Sequence, residues 1–205
     1  KNTGYNAFEI NDCITSASNI RKMFFEKSLH EHRFVLPDQV YSFIENKNME
    51  DYFSIKDKLY ELFRYKILTA KKEELLSIYD IKEDFLNRLL EQTAKNLNYE
   101  DFMKNVQTKN FSESRIKRSM LNIVLNIKRE DIESFHTEYV RILGFNKNGQ
   151  KHLHKLIKQE KKLNIFTNWK DVEKLNSEKV KIEKNGFLIK ELMLCKKEKL
   201  NSIIK

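Results

Sequence analysis

The sequence predicts a mainly α-helical fold with a short β element, and three observations lead there. Pro occurs once and Gly four times in 205 residues, so few positions interrupt a helix. Leu, Ile and Phe recur at helical spacing through most of residues 51–127. Residues 139–143, Tyr-Val-Arg-Ile-Leu, are the exception, β-branched and aromatic enough for a strand.

The elements follow in order. Residues 1–14 are polar, contain Gly4 and end on the apolar step Cys13-Ile14, which reads as a loop with a little extended structure. Ser16 or Ser18 is placed to cap a helix carrying Met23, Phe24 and Phe25, with His30, Glu31, His32 and Arg33 ending it. Pro37 starts the next helix at its first turn, with Val40, Tyr41 and Ile44 as the apolar face. From residue 51 to 97 one helix follows another, marked by Leu59, Leu62, Phe63 and Ile67, by Leu75, Leu76 and Tyr79, and by Phe85, Leu86, Leu89 and Leu90. Asn98 can cap a helix bearing Phe102, Met103 and Val106. Ser112 caps the next, whose stripe is Ile116, Met120, Ile123, Val124 and Ile127.

The strand over residues 139–143 is expected to stop at Gly144, and Asn146-Lys147-Asn148-Gly149 is a turn signal. A basic helix follows, with Leu153, Leu156 and Ile157 inward, then a second short strand over residues 163–166. The remainder is helical again, with Gly186 expected as a break.

The charge narrows the partners. Thirty-nine Lys and Arg against 30 Asp and Glu leave a net charge of +9, which favours a polyanion: nucleic acid or an anionic membrane surface. A Lys- and Asn-rich bias that only solubilises the surface is the alternative, but the positive charge is clustered rather than spread. No apolar run approaches the roughly 20 residues of a membrane span, and no signal-peptide pattern opens the chain, so a cytoplasmic protein with no membrane role is expected. Cys13 and Cys195 form neither a metal-ligand pattern nor a disulfide framework and read as partly buried thiols in a reducing compartment. His152 and His154 lack a third ligand, so no metal site is expected. The first residue is Lys1 rather than Met, as expected of a piece of a longer protein. Oligomeric state is not legible.

The sharpest local pattern is Ser16-Ala17-Ser18-Asn19-Ile20-Arg21. Two hydroxyls and several backbone amides sit at a helix N-terminus, where the dipole favours an anion, and Arg21 in the first turn can fork onto phosphate oxygens. Taken alone, the pattern is more often an ordinary Ser-capped helix with a surface arginine.

Family resemblance shifts the balance. Ser-x-Ser-x-Ile-Arg resembles the second signature of the HIGH-type nucleotidyltransferase superfamily, which closes over the ATP phosphates. Further segments resemble one member family in order: Phe63-Arg64-Tyr65, Glu83-Asp84-Phe85-Leu86-Asn87-Arg88-Leu89, Thr108-Lys109-Asn110-Phe111-Ser112-Glu113-Ser114-Arg115-Ile116-Lys117-Arg118, and Tyr139-Val140-Arg141-Ile142-Leu143-Gly144-Phe145-Asn146 with Gly149-Gln150. The family is tRNA(Met) cytidine acetate ligase, and the likeness runs from about residue 4 to residue 157.

The resemblance implies a ligase that activates acetate with ATP to acetyl-adenylate and passes the acetyl group to N4 of the wobble cytidine of elongator tRNA(Met). ATP is the implied cofactor, magnesium an optional companion and acetate a substrate. Residues 1–36 would be the end of a Rossmann-like nucleotidyltransferase domain, with Ser16, Ser18 and Arg21 on the ATP phosphates. Residues 37–205 would be a basic helical tRNA-binding domain. The chain departs from the family at Asp84, which replaces a Gly, at Asn110, which replaces a basic residue, and at Ala17, where relatives often carry a hydroxyl. The family's His-x-Gly-His signature is absent, since His30-Glu31-His32 and His152-Leu153-His154 have the wrong spacing and no Gly. The resemblance puts that signature and the catalytic residues N-terminal to Lys1, so this chain alone is not expected to complete the reaction.

The basic helix also has a physical reading. Arg115, Lys117 and Arg118 surround a helix whose other side is apolar, Lys109, Lys128 and Arg129 flank it, and Arg141 follows on the strand. Together with the resemblance, Lys109, Arg115, Lys117, Arg118 and Arg141 are the expected RNA-binding residues, a surface for a structured RNA recognised by backbone and shape. Lys147, Lys151, Lys155, Lys158, Lys161 and Lys162 either extend that surface or form a solvated face. Asn87 and Arg88 read as packing or interface residues, and Trp169 as a core anchor. Another adenylyltransferase acting on a small substrate, or an inactive helical RNA-binding module, are the competing readings.

Overall fold

Ser16 starts the first helix: its backbone is extended (φ −75°, ψ 152°) while its Oγ accepts the Asn19 N–H at 3.0 Å. The computed structural model describes residue 10 and residues 14–45, 54–133, 136–159, 164–197 and 203–204, so Cys13 and the expectations for residues 1–9 lie outside it. Helices dominate, joined by small parallel strand pairs, and the chain divides into two units, Lys1–Ser54 and Ile55–Lys205. Their border falls later than the residue 36/37 division the resemblance implies.

In the first unit, α1 covers Ala17–Phe25 and does not reach the histidines. Lys27 takes a left-handed φ of 60°, and Lys27 N–H and Ser28 N–H return to the carbonyls of Phe24 (3.2 Å) and Met23 (2.9 Å). That is a Schellman-type stop, so the sequence that follows forms a separate 3₁₀ segment, Leu29–Val35, kinked at His32. Helix α2, Asp38–Glu45, begins just after Pro37, whose carbonyl accepts from Val40 and Tyr41. Met23, Leu29 and Tyr41 are buried with Ile20, Phe24, Val35, Leu36 and Ile44 against them, while Val40 is exposed.

The second unit is built on α3 (Ile55–Thr69), α4 (Lys72–Ser77), α5 (Glu83–Lys95), α6 (Tyr99–Val106), α7 (Glu113–Leu125) and the short α8 (Arg129–Glu133). Asn98 and Ser112 cap α6 and α7, each side-chain oxygen accepting the amide three residues on. The apolar stripes of α3, α5, α6 and α7 meet in one core, where Tyr60, Phe63 and Phe102 pack with ring centroids 4.8 Å (Tyr60–Phe102) and 5.4 Å (Phe63–Phe102) apart. Burying each such side chain is worth roughly 1.5–3 kcal/mol, which makes this core the chief source of the unit's stability. Asn126 ends α7 in the left-handed region, at φ 56°.

Beyond the core, β1 (Tyr139–Arg141) pairs in parallel with β3 (Asn164–Phe166), in register Val140 to Ile165. Gly144 does not close the β element: Gly144–Phe145 forms β2, parallel to β4 (Ile203–Ile204). The signal read as a turn is a helix start. Asn146 accepts Gly149 N–H on Oδ1 and Gln150 N–H on its carbonyl, both at 2.9 Å, and opens α9 (Lys147–Gln159). A Cβ at Gly149 would stand 3.1 Å from that of Phe145, a tight contact that Phe145 would have to yield to by a few tenths of an ångström. Of the expected inward face of α9 only Leu153 is buried; Leu156 and Ile157 are exposed.

Helix α10 (Trp169–Glu173) and α11 (Glu178–Leu194) complete the unit around Trp169, Val172 and Val180. Gly186 does not break α11. One glycine costs about 1 kcal/mol relative to Ala, too little to stop a 17-residue helix anchored at both ends by Val180, Met193 and Leu194. Cys195 is exposed, in the left-handed cap of that helix, rather than partly buried. No described helix is long and apolar enough to cross a membrane.

Candidate functional site

The expected RNA-binding residues fall into separate groups. On α7, Arg115 and Arg118 lie three residues apart on one face and both reach Asp80. Arg118 places Nη2 2.9 Å from Asp80 Oδ2, and Arg115 places its Nη2 3.4 Å from Oδ1 and 3.5 Å from the Asp80 carbonyl. The two arginines differ in access. The Arg118 side chain is 56% exposed, that of Arg115 only 25%. Arg115 lies over the rings of Phe85 (4.8 Å) and Phe111 (5.4 Å), themselves stacked at 4.6 Å, and its buried Nε has no hydrogen-bond partner.

Asp80 was not singled out by the sequence, because its partners lie 35 and 38 residues away. It occupies a tight turn at φ 62°, a conformation that Asp and Asn tolerate better than most residues. The turn is stitched to the far end of α7. Tyr79 N–H donates to the Ile127 carbonyl at 2.9 Å, Asn122 Nδ2 to the Tyr79 carbonyl at 3.2 Å, and Arg129 Nη2 to the Ile81 carbonyl at 3.5 Å. Ile78 bridges Lys128, and Ile78 and Ile81 are buried on either side. The carboxylate is therefore held by backbone that cannot easily shift.

Lys117 points elsewhere on α7. It pairs with Glu113 one turn back and reaches the Tyr99 phenol at the start of α6. Partial burial alone would lower its pKa, but Glu113 and Tyr99 together outweigh that and raise it, so the amine stays charged. Its side chain is half exposed. Lys109 is exposed on the Thr108–Phe111 turn that leads into α7. Lys128 pairs with Glu130 at 3.6 Å.

Arg141 does not join these residues. Its side chain is 14% exposed, with Nη2 3.0 Å from Glu183 on α11 and the guanidinium beside the edge-to-face pair of Trp169 (5.2 Å) and Phe187 (5.1 Å). Tyr139 hydrogen-bonds the same Glu183, and burial followed by that bond raises the phenol's pKa strongly. The arginine expected to face RNA instead joins β1 to α11. A cavity of about 340 Å³ beside it is lined by Thr137, Glu138, Tyr139, Arg141, Lys179 and Glu183. Its charges face one another: Lys179 is 3.2 Å from Glu138, whose carboxyl is held below the usual range by the Ser177 hydroxyl and then by Lys179, against the effect of burial.

In the first unit Ser16 is buried and its hydroxyl caps α1, while Arg21, exposed one turn on, reaches Ser18 Oγ at 3.5 Å. Asn19 is buried as well, donating to Thr15 Oγ1 at 2.8 Å. The amides of Ala17 and Ser18 precede the first intrahelical bond, from Ile20 N–H to the Ser16 carbonyl at 3.0 Å. Amide, hydroxyl and guanidinium donors thus share one turn, a set suited to phosphate oxygens. Among the described residues no group of three or more His, Cys, Asp or Glu could hold a metal ion. His152 and His154 are exposed on α9, and Arg88 caps α6 by donating from Nε to the Val106 carbonyl at 2.8 Å.

The family model described as HIGH Nucleotidyl Transferase matches residues 1–202, and the chain belongs to that family. Among its curated homologues, the tRNA(Met) cytidine acetate ligase of Listeria welshimeri is 35% identical over 151 residues, covering 73% of this chain and 37% of the relative. The protein of the same name from Thermoanaerobacter sp. is 31% identical over 197 residues, covering 91% of this chain and 46% of the relative. The chain thus spans less than half the length of these relatives. Two crystal structures of Thermotoga maritima TmcAL share the fold. The apo form has TM-score 0.80 at 21% identity, covering 98% of this chain and 53% of that one. The form bound with alpha-thio ATP has TM-score 0.78 at 22% identity, covering 95% and 53%.

Proposed function

We propose that this chain is the tRNA-binding part of an ATP-dependent ligase that activates acetate as acetyl-adenylate and acetylates N4 of the wobble cytidine of elongator tRNA(Met). The observation that carries the reading is the 35% identity to a tRNA(Met) cytidine acetate ligase over 73% of the chain. The physical support is the chain's net charge of +9, with Arg118, Lys117 and Lys109 accessible on or beside α7. In this reading the first unit belongs to the end of the nucleotidyltransferase domain and the second is the basic helical tRNA-binding domain.

Each residue then has a distinct part. Ser16 holds the turn by capping α1, and the amides of Ala17 and Ser18, the Ser18 hydroxyl and Arg21 offer donors to the ATP triphosphate. Bound ATP would supply the adenylyl group that activates acetate. Arg118, Lys117 and Lys109 contact phosphates of the tRNA, which set position rather than sequence. Arg115 supports them from behind, and Arg141 is a structural residue outside the interface. No residue of this chain is assigned to the chemical step.

The test is acetyl transfer by the intact protein. With ATP, labelled acetate and elongator tRNA(Met), the expected product is N4-acetylcytidine at the wobble position. ATP consumption with a small acid and no acetylated tRNA would replace this reading with that of another adenylyltransferase.

A further inference from the structure

Resting on that reading, we propose that Asp80 is a positioning residue that gives the α7 face its preference for folded RNA over an unstructured polyanion. An exposed arginine on a helix samples many rotamers and attracts any nearby phosphate. Arg118 is exposed but not free to do so, because one amino group of its guanidinium is hydrogen-bonded to Asp80 Oδ2 at 2.9 Å. A guanidinium has five N–H donors in a planar fork, so the Nη2 bond to Asp80 restricts how Arg118 can turn while leaving its other donors available to a phosphate.

The anchor is stiff. Asp80 sits in a left-handed turn whose neighbours, Ile78 and Ile81, are buried, and which is bonded to Ile127, Asn122 and Arg129 around the end of α7. Arg115, over Phe85 and Phe111, holds the other carboxylate oxygen. Arg118 is thus oriented by a group that is itself oriented, and a side chain ordered before binding loses less entropy on meeting its ligand. The carboxylate also subtracts one charge from the face. Loose attraction for any polyanion falls, while a phosphate presented at the set position keeps its charge-assisted bond. Rigid tRNA can meet that condition with several phosphates at once; a flexible strand must order itself to do so.

The experiment compares wild type with Asp80→Asn, Arg118→Ala and the double variant. Asn retains a side chain that tolerates the left-handed turn and removes the negative charge. Binding of elongator tRNA(Met) and of polyuridylate of similar length is measured at two salt concentrations, and a thermal melt monitors folding. Asp80→Asn is expected to strengthen polyuridylate binding and to lower the tRNA-to-polyuridylate preference by roughly fivefold to tenfold, a size typical of losing one oriented charged hydrogen bond. In the Arg118→Ala background the same substitution is expected to lower the preference by clearly less, because only the charge of Asp80 then changes and its orienting of Arg118 is already gone. An unchanged preference in Asp80→Asn, with tRNA still bound, overturns the inference and leaves the function standing. So does an equal effect with and without Arg118. Wild-type protein that does not bind tRNA overturns the function itself.

Discussion

Arg141 and Glu183 meet at 3.0 Å between β1 and α11, and the guanidinium lies against the paired rings of Trp169 and Phe187. Arg141 is mostly withdrawn from solvent and Glu183 about a third exposed, so the pair is only partly screened by water. Arg141→Ala would remove the cation paired with Glu183, keep the Tyr139 hydrogen bond and open a gap beside Trp169. Such a break costs about 1–3 kcal/mol, between the values for exposed and for fully buried pairs. The urea midpoint should fall accordingly, and emission of Trp169, the single tryptophan, should shift to the red. A variant with wild-type stability would show that the seam is held some other way.

Gly186 offers the opposite sign. It lies inside α11, its φ is not positive, and a Cβ there would meet nothing within 4 Å. Gly186→Ala should therefore raise stability by about 0.5–1 kcal/mol, through the lower entropy of the unfolded chain. A thermal melt decides it: an unchanged or lower midpoint would mean that the helix is not formed across residue 186.

The phenol of Tyr60 predicts alkaline behaviour. Its ring is fully buried, its hydroxyl donates to the Asn96 carbonyl at 2.8 Å, and burial, partly offset by Arg64, pushes its pKa up to about 12. A folded-state value above the unfolded one, near 10, means the folded chain holds its proton more tightly. Stability is then fully present below pH 10 and lost as pH rises through about 12, by roughly 2–3 kcal/mol. Tyr139 and Tyr99, also raised by burial, add to the loss in the same direction. Tyr60→Phe should be less stable at neutral pH by about 1 kcal/mol for its missing hydrogen bond, yet lose less on going from pH 9 to 12. Parallel pH profiles for the two proteins would contradict this.

Much of the helical architecture was legible because it is set by neighbours in sequence. Asn98 and Ser112 cap what they were expected to cap, and the stripe Ile116, Met120, Ile123 lies at 0% exposure. The strands at Tyr139 and Asn164 were visible from β-branched and aromatic composition. Misreadings arose where one residue can serve two local geometries. Asn146 is as good an N-cap as a turn former, and Lys27, which no composition rule marks, enters the left-handed region and ends α1 early. The site was less legible for a different reason. Nothing in the sequence shows that Asp80 faces α7, or that Glu183 takes Arg141 out of solvent, since both pairings span more than 30 residues and depend on packing.

The central claim is that the α7 face carries tRNA through phosphate contacts, and salt dependence of binding tests it most directly. Each phosphate neutralised releases counterions, so the logarithm of the affinity for tRNA(Met) should fall linearly with the logarithm of salt, with a slope between about −2 and −4 for roughly three to five contacts. Arg118→Ala with Lys117→Ala should make that slope shallower by about 1–2, while Lys151→Ala with Lys155→Ala on α9 should change it less. Equal retention of tRNA at low and high salt, or an α7 double variant that binds like wild type, would contradict the account.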